Sequence, residues 1–174
     1  MVSAIARAEG GPSRARQARE ADSVAAALAV ALGVEPRRGV VRALNATLVV
    51  SADHELNPSS FTARVSASAG ADLYACLAAA TATLSGPRHG GVPERIAAVI
   101  EEVGKPQHAA TIVGDRLRRG DAIAGFGHPL YPDGDPRFDV MIEQARAVGR
   151  RRRSLAVVEA LVGAMDLALS LIHI

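Results

Sequence analysis

Alanine-rich apolar stretches that stop at glycine or proline are the feature of this sequence that most limits its fold. In READSVAAALAVALGV, residues 19–34, apolar residues recur at helical spacing, and Gly33 and Pro36 mark the end of the stretch. No segment of the chain sustains the strict alternation of a β-strand. Aromatic residues make up only 3% of the chain, so its core must consist of Ala, Leu, Val and Ile, which suits close helix packing. The sequence therefore predicts an all-α fold.

Capping residues and helix breakers predict where the helices begin and end. Asn57 followed by Pro58 is typical of a helix N-terminus, and Pro93 is predicted to open a later helix. Gly120 follows a run of arginines, as expected at a helix C-terminus. Helices are predicted at about residues 19–34, 37–51, 58–68, 72–85, 93–104, 106–120 and 136–149 and from about 153 onward, with an irregular segment at 121–135.

Composition excludes several classes of protein. The chain has 174 residues, enough for one domain or two small lobes, and its net charge of +2 implies no particular partner. The arginine-rich stretches at 14–19 and 150–153 are predicted to be solvated helix faces, because aromatic residues for base stacking are almost absent. The longest apolar run, around 73–84, is too short to span a bilayer, and the N-terminus lacks the apolar core of a signal peptide. Cys76 is the only cysteine and is predicted to be a buried small hydrophobe in a cytoplasmic protein.

Three of the five histidines lie at breaks between predicted helices, where functional sites concentrate. These are His54, His89 and His128, whereas His108 lies inside a predicted helix and is given no role. No histidine pair has helical spacing with a carboxylate between its members, and there is no cysteine cluster, so no metal site is predicted.

His89 lies in SGPRHGG, residues 85–91, between Pro87 and two glycines. Gly90 and Gly91 remove side chains beside the ring, and the helix predicted to start near Pro93 directs free N–H groups toward it. A helix N-terminus disfavours positive charge, so we expect a neutral imidazole that can donate an N–H to a developing oxyanion.

The segment that contains His128 is also rich in glycine. His128 follows Gly125-Phe126-Gly127, where backbone can approach a ligand closely. GFGHPL lacks the third glycine and the preceding strand of a dinucleotide-binding motif, so that interpretation is rejected. Arg137 lies in the first turn of a predicted helix, where a cation is unfavourable. Either a bound anion or a salt bridge to Asp135 or Asp139 would explain it.

Together these segments resemble the citrate synthase family. ADHELNPSSFTARVSASAGADLYACLAAATATLSGPRHGG matches the family's histidine loop, two helices and catalytic-histidine junction, and GFGHPLYPDGDPR matches its second active-site loop. The likeness covers roughly residues 37–168. It implies an all-α homodimer whose large and small domains close over the substrates. It also implies the condensation of acetyl-CoA with oxaloacetate, a step of the tricarboxylic acid cycle, with no cofactor.

The resemblance assigns roles by position. His89 would hydrogen-bond the thioester carbonyl and stabilise the enol of acetyl-CoA, and His128 would polarise the oxaloacetate carbonyl. His54 and Arg137 would also bind oxaloacetate, with Arg137 on a carboxylate. The family's general base is an aspartate that precedes a helix, and GAMDLALS offers Asp166. The backbone of Ala124, Gly125, Phe126 and Gly127 would contact CoA.

The resemblance also predicts the extent of the chain. Residues 1–90 would be part of the large domain and residues 91–168 part of the small domain. Because both domains would be incomplete, the chain alone is expected to be inactive.

The last six residues, LSLIHI at 169–174, are what the transposon-end adapter CTGTCTCTTATACACATC encodes. They are therefore predicted to be a non-native tail, and His173 is given no role. Pro129-Leu130 replaces the basic residue that many members carry after the second histidine. Two alternatives to a citrate synthase remain open. One is a 2-methylcitrate synthase that uses propionyl-CoA, and the other is a catalytically silent relative that binds CoA or a dicarboxylate.

Overall fold

The computed structural model describes residues 1–52, 56–127, 131, 134–149 and 152–172, except for the side chains of residues 152 and 169–172. The described parts contain no β-strand, and the predicted all-α fold is confirmed. The helices are α1 Val2–Arg19, α2 Val24–Ala31, α3 Arg38–Val50, α4 Pro58–Ser68, α5 Leu73–Leu84, α6 Val92–Val103, α7 Ala109–Arg119, α8 Arg137–Val148 and α9 Arg152–Ile172, with a 3₁₀ turn at Pro106–His108 before α7.

Most predicted helix starts are confirmed to within a few residues, and local capping chemistry determines those of α4 and α5. The Asn57 side-chain oxygen accepts a hydrogen bond from the Ser60 N–H at 2.9 Å, and Pro58 occupies the first position of α4. Asp72 caps α5 in the same way, accepting from the N–H groups of Tyr74 and Ala75.

The prediction for the first 34 residues is only partly confirmed, because a helix lies within 19–34 but starts later, and a further helix precedes it. Residues 2–19 form α1, which is interrupted at Gly11, where φ is 74°. The helix expected to start at residue 19 begins instead at Val24, where the Ser23 hydroxyl accepts from the Ala26 N–H at 3.1 Å. Buried alanines on α1 pack against α2, and this tertiary contact outweighs the weak helix propensity of a glycine- and proline-containing segment.

The chain divides into two compact units. The first comprises residues 1–53 and 133–150, in which α1 packs on α2, α2 on α3, and α3 on α8. Four alanines form a buried cluster of this unit, and such small side chains let helices approach closely. They are Ala6, Ala18, Ala27 and Ala31.

The second unit comprises residues 54–132 and 151–174. Here α4 and α5 form a helical hairpin, and α9 packs on α6, α7 and the 3₁₀ turn. The start of α9 lies at the end of α6, because the Arg153 Nε donates to the Gly104 carbonyl at 3.0 Å. The buried core of this second unit consists of Val99, Val103, Ala109, Val113, Ile123, Val157, Leu161 and Met165. Residue 90, the predicted domain boundary, lies within this unit, and the assignment of large and small domains stays a prediction.

The α4–α5 hairpin buries little of its apolar surface within the chain. Cys76 is its one buried residue, as predicted for that cysteine. Large apolar side chains four residues apart are at least half exposed on each helix. We call these the hairpin stripes: Phe61 and Val65 on α4, and Leu73 and Leu77 on α5. Within the described ranges, no helix is both long enough and apolar enough to cross a membrane.

Candidate functional site

The junction between α5 and α6 is a tight reversal of the chain. The Gly90 N–H donates to the Leu84 carbonyl at 2.8 Å, and the N–H groups of His89 and Gly91 both donate to the Gly86 carbonyl. A Cβ on Gly90 would lie 2.2 Å from the Leu84 oxygen, and one on Gly91 would lie 2.9 Å from the Cα of Pro87. Both glycines are therefore required for the chain to fold back on itself. Their position beside a histidine in the sequence did not indicate this requirement.

His89 is held in this junction by a side chain of α4. Its Nε2 lies 2.9 Å from the Ser59 hydroxyl, and both residues are half-buried. The Ser59 hydroxyl also donates to the Asn57 Oδ1 at 2.9 Å, so one hydrogen-bonded chain connects the α4 cap to the imidazole. Ser59 is not among the predicted site residues, because the Asn57-Pro58 pattern beside it indicates only a helix start.

Close to this contact, α4 and α5 are also joined to each other directly. The Thr83 hydroxyl on the last turn of α5 lies 3.0 Å from the Thr62 hydroxyl on α4. Thr62 lies three residues after Ser59 on α4, and Thr83 lies six residues before His89, so this bond helps to fix the distance between Ser59 and His89. His89 is thus held by rigid elements, as binding and catalytic groups require.

The start of α6 lies close to His89 along the chain. The helix begins at Val92, three residues after His89, and its N-cap is Gly91, which has no side chain to satisfy the first N–H groups. These N–H groups and the helix dipole favour negative charge at this end.

Residues 124–127 form a turn that packs against the same helix. Gly125 and Gly127 have φ values of 94° and 78°, a left-handed conformation that glycine adopts without strain. A Cβ on Gly125 would lie 3.3 Å from the Ile96 side chain on α6, and Phe126 packs on the core of the second unit. The structure therefore brings the predicted CoA-binding turn and the His89 junction to the first half of α6.

Arg137 is the first residue of α8, in the first unit, and it forms the salt bridge that the sequence left as one alternative. Its Nε donates to the Asp135 Oδ1 at 2.8 Å and Oδ2 at 3.1 Å, and its backbone N–H also donates to Oδ1 at 3.0 Å. The arginine and aspartate side chains are 20% and 32% exposed, so the pair is partly shielded from water. A carboxylate ligand at Arg137 would have to share the guanidinium with Asp135.

Asp166 lies in the interior of α9 and is exposed. The resemblance led us to expect an aspartate in a short segment before a helix, and Asp166 departs from that pattern. Its role as a base stays a prediction. His54 and His128 lie outside the described residues. Among the described residues, no three His, Cys, Asp or Glu side chains are grouped so that they could hold a metal ion.

Comparison with known proteins adds evidence about the family. A family profile described as "Citrate synthase, C-terminal domain" matches residues 1–171. The chain belongs to the citrate synthase family. It is 42% identical over 123 residues to putative citrate synthase 2 of Mycobacterium tuberculosis, an alignment that covers 71% of this chain and 33% of that protein.

Other relatives carry two different names. Citrate synthase 2 of Bacillus subtilis is 40% identical over 114 residues, covering 66% of this chain and 31% of the relative. The 2-methylcitrate synthase of Shewanella oneidensis is 36% identical over 111 residues, covering 64% and 30% respectively. The chain thus spans about a third of the length of these curated relatives.

A solved structure supports the fold. The citrate synthase of Thermotoga maritima superposes with a TM-score of 0.62 at 22% identity, covering 92% of this chain and 52% of that one. The predicted family membership and fold class are therefore both confirmed.

Proposed function

We propose that this chain supplies part of the active site of a citrate synthase-type acyltransferase, which condenses acetyl-CoA with oxaloacetate to give citrate and CoA. The observation that carries the proposal is the His89 junction. An imidazole is fixed by Ser59 between two helices, three residues before an α6 N-terminus that has no capping side chain. This is an arrangement suited to stabilising an oxyanion.

The chemistry of the first step requires a base and a hydrogen-bond donor placed together. Removal of a methyl proton beside a thioester produces negative charge on the carbonyl oxygen, which His89 stabilises as the enol forms. Asp166 is our proposed base. His128 polarises the oxaloacetate carbonyl, so that the enol carbon attacks it, and hydrolysis of the thioester then releases CoA.

Binding of the two substrates involves other segments. His54, His128 and Arg137 are proposed to bind oxaloacetate. The positive charge of Arg137 is partly neutralised by Asp135, so the arginine is better suited to orienting a carboxylate than to binding it alone. The turn at residues 124–127 is proposed to contact CoA, because its two left-handed glycines expose backbone on the surface of α6.

The acyl group is open between two candidates. Relatives of similar identity are named citrate synthase and 2-methylcitrate synthase, which supports propionyl-CoA as the alternative substrate. The Pro129-Leu130 pair, where many members have a basic residue, leaves the same choice open. A third candidate concerns the activity itself: the protein would be a catalytically silent relative that binds CoA or a dicarboxylate.

We also propose that the whole protein is a cytoplasmic homodimer of the tricarboxylic acid cycle and that this chain alone is inactive. The hairpin stripes support a homodimer, since each fully buried Leu or Val side chain contributes about 1.5–3 kcal/mol when removed from water. The short coverage of the relatives supports inactivity of the isolated chain.

The test is release of CoA thiol by the whole protein, with acetyl-CoA and propionyl-CoA in parallel and with and without oxaloacetate. We expect oxaloacetate-dependent release with at least one acyl-CoA, and the ratio of kcat/KM identifies the substrate. A folded protein that releases no thiol with either acyl-CoA but binds CoA in calorimetry would be the silent relative instead.

A further inference from the structure

The hydrogen bonds that join Asn57, Ser59 and His89 determine more than the position of the ring. Asn57 directs its oxygen, not its amide nitrogen, toward Ser59, because the same atom accepts from the Ser60 N–H at 2.9 Å. The Ser59 hydroxyl lies 2.9 Å from this oxygen, and two oxygens at that distance need a proton between them, which only the hydroxyl can supply.

A hydroxyl has one proton. When Ser59 gives it to Asn57, only a lone pair is left for the His89 Nε2, 2.9 Å away on its other side. The contact is then a hydrogen bond only if Nε2 carries the ring proton. We propose that Asn57, acting through Ser59, holds the proton of neutral His89 on Nε2 in the ligand-free protein and leaves Nδ1 as a bare acceptor.

The consequence for catalysis rests on the proposed function, although the tautomer itself does not. Nε2 is occupied by Ser59, so the thioester oxygen must be met by Nδ1. For Nδ1 to donate, the ring releases its Nε2 proton to water and takes one from water at Nδ1, with no change of charge. The Ser59 hydroxyl then turns from Asn57 and donates to Nε2. Asn57 is thus a positioning residue that opposes the donor form of His89 until a substrate carbonyl is present.

The experiment is ¹⁵N magic-angle-spinning NMR of this chain labelled at histidine, which distinguishes bare from protonated ring nitrogens whether or not the chain associates. Spectra are taken at a pH beyond which the His89 signals no longer titrate, and His89→Gln identifies those signals. His108 is an internal reference of opposite tautomer, because its Nδ1 lies 3.2 Å from the Val103 carbonyl, which can only accept.

We expect the ratio of the Nε2–H to the Nδ1–H form of His89 to exceed that of free histidine by about fivefold, the effect of one ordinary hydrogen bond. Asn57→Gly keeps an acceptable helix cap and frees the Ser59 proton, so it should lower the ratio by at least that factor. Ser59→Ala, which keeps the Asn57 cap, should return the ratio to that of free histidine. Asp72→Gly, which removes the cap of α5, is the matched control and should leave the ratio unchanged.

Two results would overturn the proposal. One is a wild-type His89 with its proton mainly on Nδ1. The other is a ratio that neither Asn57→Gly nor Ser59→Ala changes, which would mean that Asn57 only caps α4. Neither result depends on thiol release, so the tautomer and the proposed function are tested separately.

Discussion

Replacing Gly90 by alanine tests the account of the junction at the point where the chain is most crowded. The new Cβ would lie 2.2 Å from the Leu84 carbonyl oxygen and 3.0 Å from the Leu84 Cγ. The backbone must therefore move, and the 2.8 Å hydrogen bond from the Gly90 N–H to the Leu84 carbonyl is lost or weakened. Overpacking costs about 1–3 kcal/mol and a hydrogen bond about 1 kcal/mol, so the free energy of unfolding should fall by roughly 2–4 kcal/mol.

Urea unfolding followed by far-UV circular dichroism measures this loss. With an m-value of about 2 kcal/mol per molar, the midpoint should fall by about 1–2 M. Gly86→Ala is the control within the same junction, because its Cβ would lie 3.3 Å from the Thr83 carbonyl oxygen, and it should cost less than about 1 kcal/mol. Gly163→Ala in α9 meets nothing within 4 Å and should raise stability by about 0.5–1 kcal/mol.

A Gly90→Ala midpoint within about 0.3 M of the wild type would show that the junction tolerates a Cβ at residue 90. If Gly86→Ala lowered the midpoint as much as Gly90→Ala, the distance from the new Cβ to the carbonyl oxygen of α5 would not be the cause of the loss, because the two variants differ chiefly in that distance.

Further substitutions in the whole protein address the remaining assignments. Arg137→Ala should weaken oxaloacetate binding much more than it lowers kcat, whereas Asp135→Asn, which removes the negative charge of the Asp135 carboxylate beside the guanidinium, should not weaken it. Equal loss of binding in both variants would point to a structural salt bridge. Asp166→Asn should lower kcat by about 10²–10⁴-fold, and a change within about twofold would mean that another carboxylate is the base. Leu77→Glu in the hairpin stripes should convert a dimer to a monomer in analytical ultracentrifugation. Leu167→Glu on α9, which also replaces an exposed leucine, should leave the dimer intact. A dimer that survives Leu77→Glu would place the interface elsewhere.

Much of the fold could be predicted from the sequence because its helix boundaries are local. Asn57, Pro58 and Asp72 determine helix starts through bonds to residues two or three positions away, and the pattern contains that information. The first helix could not be predicted in the same way. Its glycine and proline disfavour a helix locally, and what stabilises it is the packing of alanines on another helix.

The candidate site was predictable in its residues but not in its contacts. His89 could be identified by its surroundings in the sequence, whereas Ser59, 30 positions earlier, could not, because nothing local indicates which side chain meets the ring. The need for Gly90 also depends on the return of the chain to the end of α5. For Arg137 the sequence left two explanations open, a bound anion and a salt bridge to a neighbouring aspartate. The structure contains the salt bridge, to Asp135.

The effect of His89→Ala on turnover and on oxaloacetate binding in the whole protein shows directly whether His89 acts on the acyl-CoA. If His89 stabilises the enol of the acyl-CoA, kcat for thiol release should fall by about 10²–10⁴-fold, while the Kd for oxaloacetate measured by calorimetry should change by less than about threefold. A variant that is folded, binds oxaloacetate as the wild type does and turns over at a similar rate would contradict the account.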